Sequence, residues 1–137
     1  ETIGDEGCGN GRCATPFVAP PEGGMFTGNF NGPGQNSASC GSSYNSRGAD
    51  RVWRWTPTRS GTARARLSGD FWPATLYVRT GACMPGTQVA CDSQTSQWPT
   101  ENVSWTVTAN TTYWVFVDCH YDGTTYNPRY ELTITPP

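Results

Sequence analysis

The stretch LYVRTGACMPGTQVACDS, Leu76–Ser93, decides how the rest of the chain is read. Two alternating runs flank TGACMPGT, whose glycines and proline favour a turn over continued regular structure. A period of two sends successive side chains to opposite faces, so the stretch reads as a hairpin of two half-buried strands. Cys83 and Cys91 stand at either end of that turn, where their Cα atoms can approach to the roughly 4.4–6.8 Å a disulfide needs.

The cysteines set the compartment. There are six, at positions 8, 13, 40, 83, 91 and 119, in a chain without lysine and rich in turn residues. An even cysteine count in such a chain points to disulfides and an oxidising compartment. Proximity favours Cys83–Cys91, and CGNGRC allows Cys8–Cys13, leaving Cys40–Cys119 to tie an early loop to a late strand. Many other pairings stay open, because sequence alone does not choose among them. Structural zinc favours close C-x2-C pairs and usually histidine, whereas His120 is the single histidine here.

The same alternation recurs at 24–30, 51–56, 62–68, 74–80, 87–92, 102–108, 112–118 and 129–135. Turn-forming segments such as NGPG, SRGAD, TRSG and YDGTTYNP separate these runs. With 16 glycines, 11 prolines and only three leucines, the composition favours short strands and turns over helices. The expectation is an all-β, antiparallel, jelly-roll-like sandwich of about eight disulfide-stapled strands. At 137 residues the chain is one domain, 1–137, with Thr135–Pro137 reading as a linker start or chain end. The opening ETIGDEGC lacks methionine, as a processed chain or an excised domain would.

Alternation also assigns faces. Val103, Trp105 and Val107 point to the core, as do Ala63, Ala65 and Leu67, while Arg64, Arg66, Ser104 and Thr106 point outward. Leu76 and Val78 point in, which puts Tyr77 and Arg79 on the opposite side. In TTYWVFVD both lines are apolar: Tyr113, Val115 and Val117 on one, Trp114 and Phe116 on the other. Two readings of that second line are open. Either another element covers it, or Trp114 and Phe116 form a stacking platform with Tyr77 and Arg79 beside them.

GADRVWRWTPTRSGTARARLS, ATLYVRTGACMPGTQVACDS and TVTANTTYWVFVDCHYDG followed by YELTIT, taken in order, resemble the bacterial pre-peptidase C-terminal domain. The likeness is to its cysteine-bearing form in secreted myxobacterial-type proteins, and it covers about Asp50 to Thr135. It implies a jelly-roll-type sandwich appended to secreted or surface proteins, without catalysis of its own. It also implies collagen binding in related modules and loop-bound calcium in some members. By position, Trp53 and Trp55 match core aromatics, and Asp50, Asp92 and Asp118 match acidic positions. The chain departs from the pattern in FWPAT, which lacks the usual aspartate, and at Ser93 and Cys119.

Calcium takes six to eight oxygen ligands, and Asp50, Asp92 and Asp118 are the candidates, the alternative being local turn hydrogen bonds. No cofactor is required. No nucleophile elbow or paired-carboxylate constellation is legible, so no catalytic residue is assigned. A net charge of −2 does not favour nucleic acid, and no apolar run reaches the ~20 residues of a membrane helix. The loop aromatics Trp72, Trp98 and Tyr121 join Trp114, Phe116, Tyr77 and Arg79 as candidate ligand contacts. The expected function is a non-catalytic extracellular module, secreted or on a bacterial cell surface, that attaches its protein to polysaccharide or protein. The alternatives are a structural subunit self-associating through the aromatic face and, as a minor reading, a secreted hydrolase.

Overall fold

A computed structural model describes residues 13, 16–29, 50–69, 74–93, 100–119 and 129–137, with the backbone alone at 29, 50 and 119. These residues form β1 (Phe17–Ala19), β2 (Gly24–Asn29), β3 (Asp50–Trp55), β4 (Gly61–Gly69) and β5 (Ala74–Thr80). They continue as β6 (Thr87–Ser93), β7 (Glu101–Val107), β8 (Tyr113–Cys119) and β9 (Arg129–Thr135). The strands pair as one sheet ordered β1-β3-β8-β5-β6 and a second ordered β2-β9-β4-β7. The eight expected strands stand where alternation put them, each within two residues at either end. Among the described residues there is no helix, and so none able to cross a membrane.

A ninth strand adds one short parallel pair to the expected antiparallel sandwich. β1 is three residues long and pairs parallel to β3, with Phe17 opposite Trp53 and Ala19 opposite Trp55. Prolines at 16, 20 and 21 bound it, and proline is confined to sheet edges because it donates no ladder hydrogen bond. Packing holds it in place. The Trp53 ring lies between Phe17 and Phe26, with centroids 4.5 and 4.4 Å away in stacked geometry. The Trp55 indole N–H donates to the Pro21 carbonyl at 3.0 Å.

The core lies between the sheets and is built on aromatic residues. Trp55, Trp105 and Tyr113 meet edge-on or tilted at 6.0–6.4 Å, among Ala63, Ala65, Leu67, Leu76, Val78, Val115, Val117, Leu132 and Ile134. The alternation reading of β4, β7 and the inner line of β8 is therefore correct. Small residues make room for the rings: a Cβ on Gly28 would fall 2.9 Å from the Tyr130 ring, its cross-strand partner.

Tyr130 supplies a pH-dependent prediction. Its hydroxyl accepts from the Trp53 indole N–H at 3.3 Å. Burial pushes its phenol up from 10.0 to about 12, against the opposing effects of that hydrogen bond and of the Arg51 guanidinium. The folded state then holds the phenolic proton more tightly than the unfolded state does. The Tyr130 contribution is complete below about pH 10 and is lost as pH rises toward 12, to a total of about 2–3 kcal/mol. In Tyr130→Phe this part of the alkaline loss should vanish from urea midpoints measured between pH 9 and 12. An unchanged slope in that variant would remove Tyr130 as its source.

The disulfides differ from the expectation. Cys13 is bonded to Cys83 with a Cα separation of 5.6 Å, which rules out both Cys83–Cys91 and Cys8–Cys13. Cys91 is also disulfide-bonded. Cys8, Cys40 and the Cys119 side chain lie outside the described residues. The reason is register. Cys91 lies within β6 opposite Tyr77, whereas Cys83 sits inside the turn, which folds back over the outer side of the five-stranded sheet. The Arg79 guanidinium fastens that turn by donating to the Cys83 carbonyl at 2.9 Å. Gly86 permits the fold-back: its φ is 58°, and a Cβ there would strike the Ala82 carbonyl oxygen.

Candidate binding surfaces

Cross-strand register orders the outer side of the five-stranded sheet into three rows. The first runs Asp50, Asp118, Thr75, Ser93; the second Val52, Phe116, Tyr77, Cys91; the third Val18, Arg54, Trp114, Arg79, Gln88. The β5–β6 pairing shifts register between Val78 and Arg79, so Val89 has no partner and Arg79 faces Gln88. Such a bulge re-aims the side chains beside it.

The second row is closed. Tyr77 and Phe116 are both 0% exposed, and their rings stack at 4.5 Å and 4° with Val52, Cys13 and Cys83 packed around them. The Arg79 guanidinium lies 4.7 Å over the Phe116 ring and 5.2 Å over Tyr77. Phe116, Tyr77 and Arg79 do assemble as the alternation implies, and of the two readings left open the covered one holds for the rings of Phe116 and Tyr77, which form an interior stack and not an open platform. A cation over stacked rings, under a disulfide, holds the outer layer together. Trp114 alone of that aromatic line keeps a partly open ring, between Arg54 and Arg79. Trp72, Trp98 and Tyr121 lie outside the described residues.

Two of the three candidate calcium ligands, Asp92 and Asp118, lie on opposite faces of the sheet. The backbone of Asp50 pairs with that of Asp118, whose side chain is on the outer side, but Asp92 is opposite Leu76 and so faces the inside of the sandwich. There its Oδ2 accepts from the backbone N–H of Asn102 at 2.8 Å, fastening β6 to β7 in the other sheet. Asp118 is buried, and the Thr75 hydroxyl beside it is 2.9 Å from that of Ser93. Among the described residues no group of three histidine, cysteine or acidic side chains is placed to hold a metal. The expected convergence of Asp50, Asp92 and Asp118 is corrected on this ground: Asp92 is opposite Leu76 and Asp118 opposite Thr75, and these neighbours along β5 point to opposite faces of the sheet.

The outer side of the four-stranded sheet is different. Thr62, Arg64 and Arg66 of β4 and Asn102, Ser104 and Thr106 of β7 are all exposed. Arg64 lies between Ser104 and Thr135, and Arg66 between Asn102 and Thr133. Together they line a shallow groove of about 410 Å³. Sequence reasoning put Arg64 and Arg66 outward but gave them no role. The signal was available in TARAR, whose cross-strand neighbours in this register are hydroxyls and an amide.

No family model and no curated protein matches this sequence. Solved structures match its fold. The pre-peptidase C-terminal domain of a Bacillus anthracis collagenase superposes with a TM-score of 0.59 at 11% identity, over 88% of this chain and 96% of that one. CorA, a surface-associated copper-binding protein of Methylomicrobium album, gives 0.59 at 9% identity, over 90% of this chain and 98% of that one. The Yersinia pseudotuberculosis-derived mitogen gives 0.53 at 13% identity, over 85% and 87%. At these identities the likeness is one of fold: the chain is a β-sandwich similar in fold to the pre-peptidase C-terminal domain.

Proposed function

We propose that this chain is a non-catalytic binding module of an extracellular bacterial protein, attaching the polypeptide that carries it to a polysaccharide or protein. The observation that carries the reading is the contrast between its two outer sides. On the five-stranded sheet the rings are packed beneath the Cys13–Cys83 bridge, while the four-stranded sheet presents an open polar groove on rigid strands. A surface held by strands and left open to solvent suits binding of an extended ligand. Among the described residues no carboxylate lines that groove, and Glu101 and Asp118 are buried, which is poor geometry for acid–base work on such a ligand. The disulfide supports placement in an oxidising, extracellular compartment.

Self-association through the aromatic face has lost its main contact, because Phe116 and Tyr77 are enclosed by their own chain. Pull-down of the purified chain against insoluble cellulose, chitin and collagen, and affinity electrophoresis in gels containing soluble polysaccharides, test the proposal. Retention on at least one matrix without its degradation is expected. Free passage through all of them would sink the reading.

A further inference from the structure

We infer that the groove on the four-stranded sheet binds an anionic polysaccharide, one carrying carboxylate or sulfate groups, through Arg64 and Arg66. This rests on the binding-module reading and names the ligand class for its open side. The first ground is charge. The chain is net −2, yet the outward positions of these strands carry Arg64, Arg66 and Arg129 against Glu131 alone among the described residues. Neither central arginine has a carboxylate directly opposite on either neighbouring strand, and Glu131 lies in the next row, opposite Ser68. Arg64 and Arg66 are two residues apart on one strand, so their stems leave the sheet about 7 Å apart on the same side. A guanidinium fork matches a carboxylate or a sulfate with two parallel hydrogen bonds, and two forks in line match a repeating anion.

The second ground is what surrounds them. Ser104, Thr135, Asn102 and Thr133 supply hydroxyl and amide groups on both flanks, the chemistry that pairs with sugar hydroxyls. A protein partner ordinarily seats an apolar or aromatic centre, and among the described residues this groove has none; apart from Ala65 and Val103, whose side chains belong to the core, its described lining is polar. A neutral polysaccharide would rely on an aromatic ring for stacking, and none of the described residues lining the groove carries one. Among the described residues, the combination of guanidiniums with no carboxylate opposite, hydroxyls and no ring favours a charged sugar polymer.

The test is affinity electrophoresis of the intact chain in gels containing polygalacturonate, its methyl ester, dextran sulfate, unmodified dextran or polyglutamate. Retardation by polygalacturonate or dextran sulfate is expected, falling at least about tenfold in affinity on the esterified or unsulfated polymer. Arg64→Ala and Arg66→Ala should each weaken binding about tenfold, and raised salt should weaken it further. Their melting temperatures should stay near that of the parent, and Arg64→Gln/Arg66→Gln, which keeps the stems, replaces them if either alanine variant melts early. Unaltered binding in the double variant would overturn the inference, as would equal or tighter binding of polyglutamate, which would give the surface to acidic polypeptides. Retention on a neutral polysaccharide or collagen, insensitive to both arginines, overturns the inference while leaving the module reading standing. No binding to any polymer removes both.

Discussion

Phe116→Ala is expected to lower the unfolding free energy by about 3–5 kcal/mol, the usual cost of truncating a fully buried aromatic. Phe116 is at the middle of β8, and β8 is the central strand of the five-stranded sheet, paired with β3 on one edge and β5 on the other. Its ring stacks on Tyr77, supports the Arg79 guanidinium and is closed over by Cys13 and Cys83. Removing it leaves a void beneath a disulfide that limits collapse. A loss of that size is a large fraction of the roughly 5–15 kcal/mol that holds a domain of this kind together. Trp114→Ala, two residues earlier on the same side, should cost only about 1–2 kcal/mol, since a partly exposed ring surrenders less buried area. Urea denaturation of both variants checks the pair. A midpoint for Phe116→Ala equal to that of the parent would show that the ring contributes no packing, and would reopen that side of the sheet to ligands.

Breaking the Cys13–Cys83 bridge should have an effect of similar size. The bond spans a sequence separation of 70, and in the chain-entropy account closing such a loop stabilises the fold by about 4 kcal/mol. A Cys83–Cys91 bridge, closing a far shorter loop, would contribute about 2.5 kcal/mol on the same account. The Cys13→Ser/Cys83→Ser variant should therefore lose about 4 kcal/mol, with a further penalty for bringing a hydroxyl against the Tyr77–Phe116 stack. Peptide mapping without reduction should recover the segments around Cys13 and Cys83 as one linked species. Recovery of Cys83 linked to Cys91 would refute the register argument along with the predicted magnitude.

The contrast between the two outer sides shows why one kind of reading from sequence succeeded and another did not. Alternation in GTARARLS and ENVSWTVT assigned the inward and outward residues of β4 and β7 correctly, because the facing of a strand residue depends on its parity alone. It assigned Trp114 and Phe116 to one side just as correctly. It left open whether Phe116 would be covered, because the cover includes Cys13, more than a hundred positions away in the chain. The aspartates show the same division. Their positions at strand ends were legible, but Asp50 meets Asp118 while Asp92 turns inward to Asn102 only because three strands are held in one particular register.

The sequence by itself determined an all-β chain, the positions of eight strands and the inward lines of β4, β5 and β7. Those follow from a period of two and from glycine and proline at the turns, which are local properties of the polypeptide. Only the tertiary structure decided the ninth strand, where Phe17 packs on Trp53 from the far side of the polar segment 31–49. It alone chose Cys13 for Cys83, and it alone left Arg64 and Arg66 facing hydroxyls with no acid opposite. Each of these depends on which strands become neighbours and in what register. That choice is made by burial of the whole core at once, and no short stretch of chain carries it.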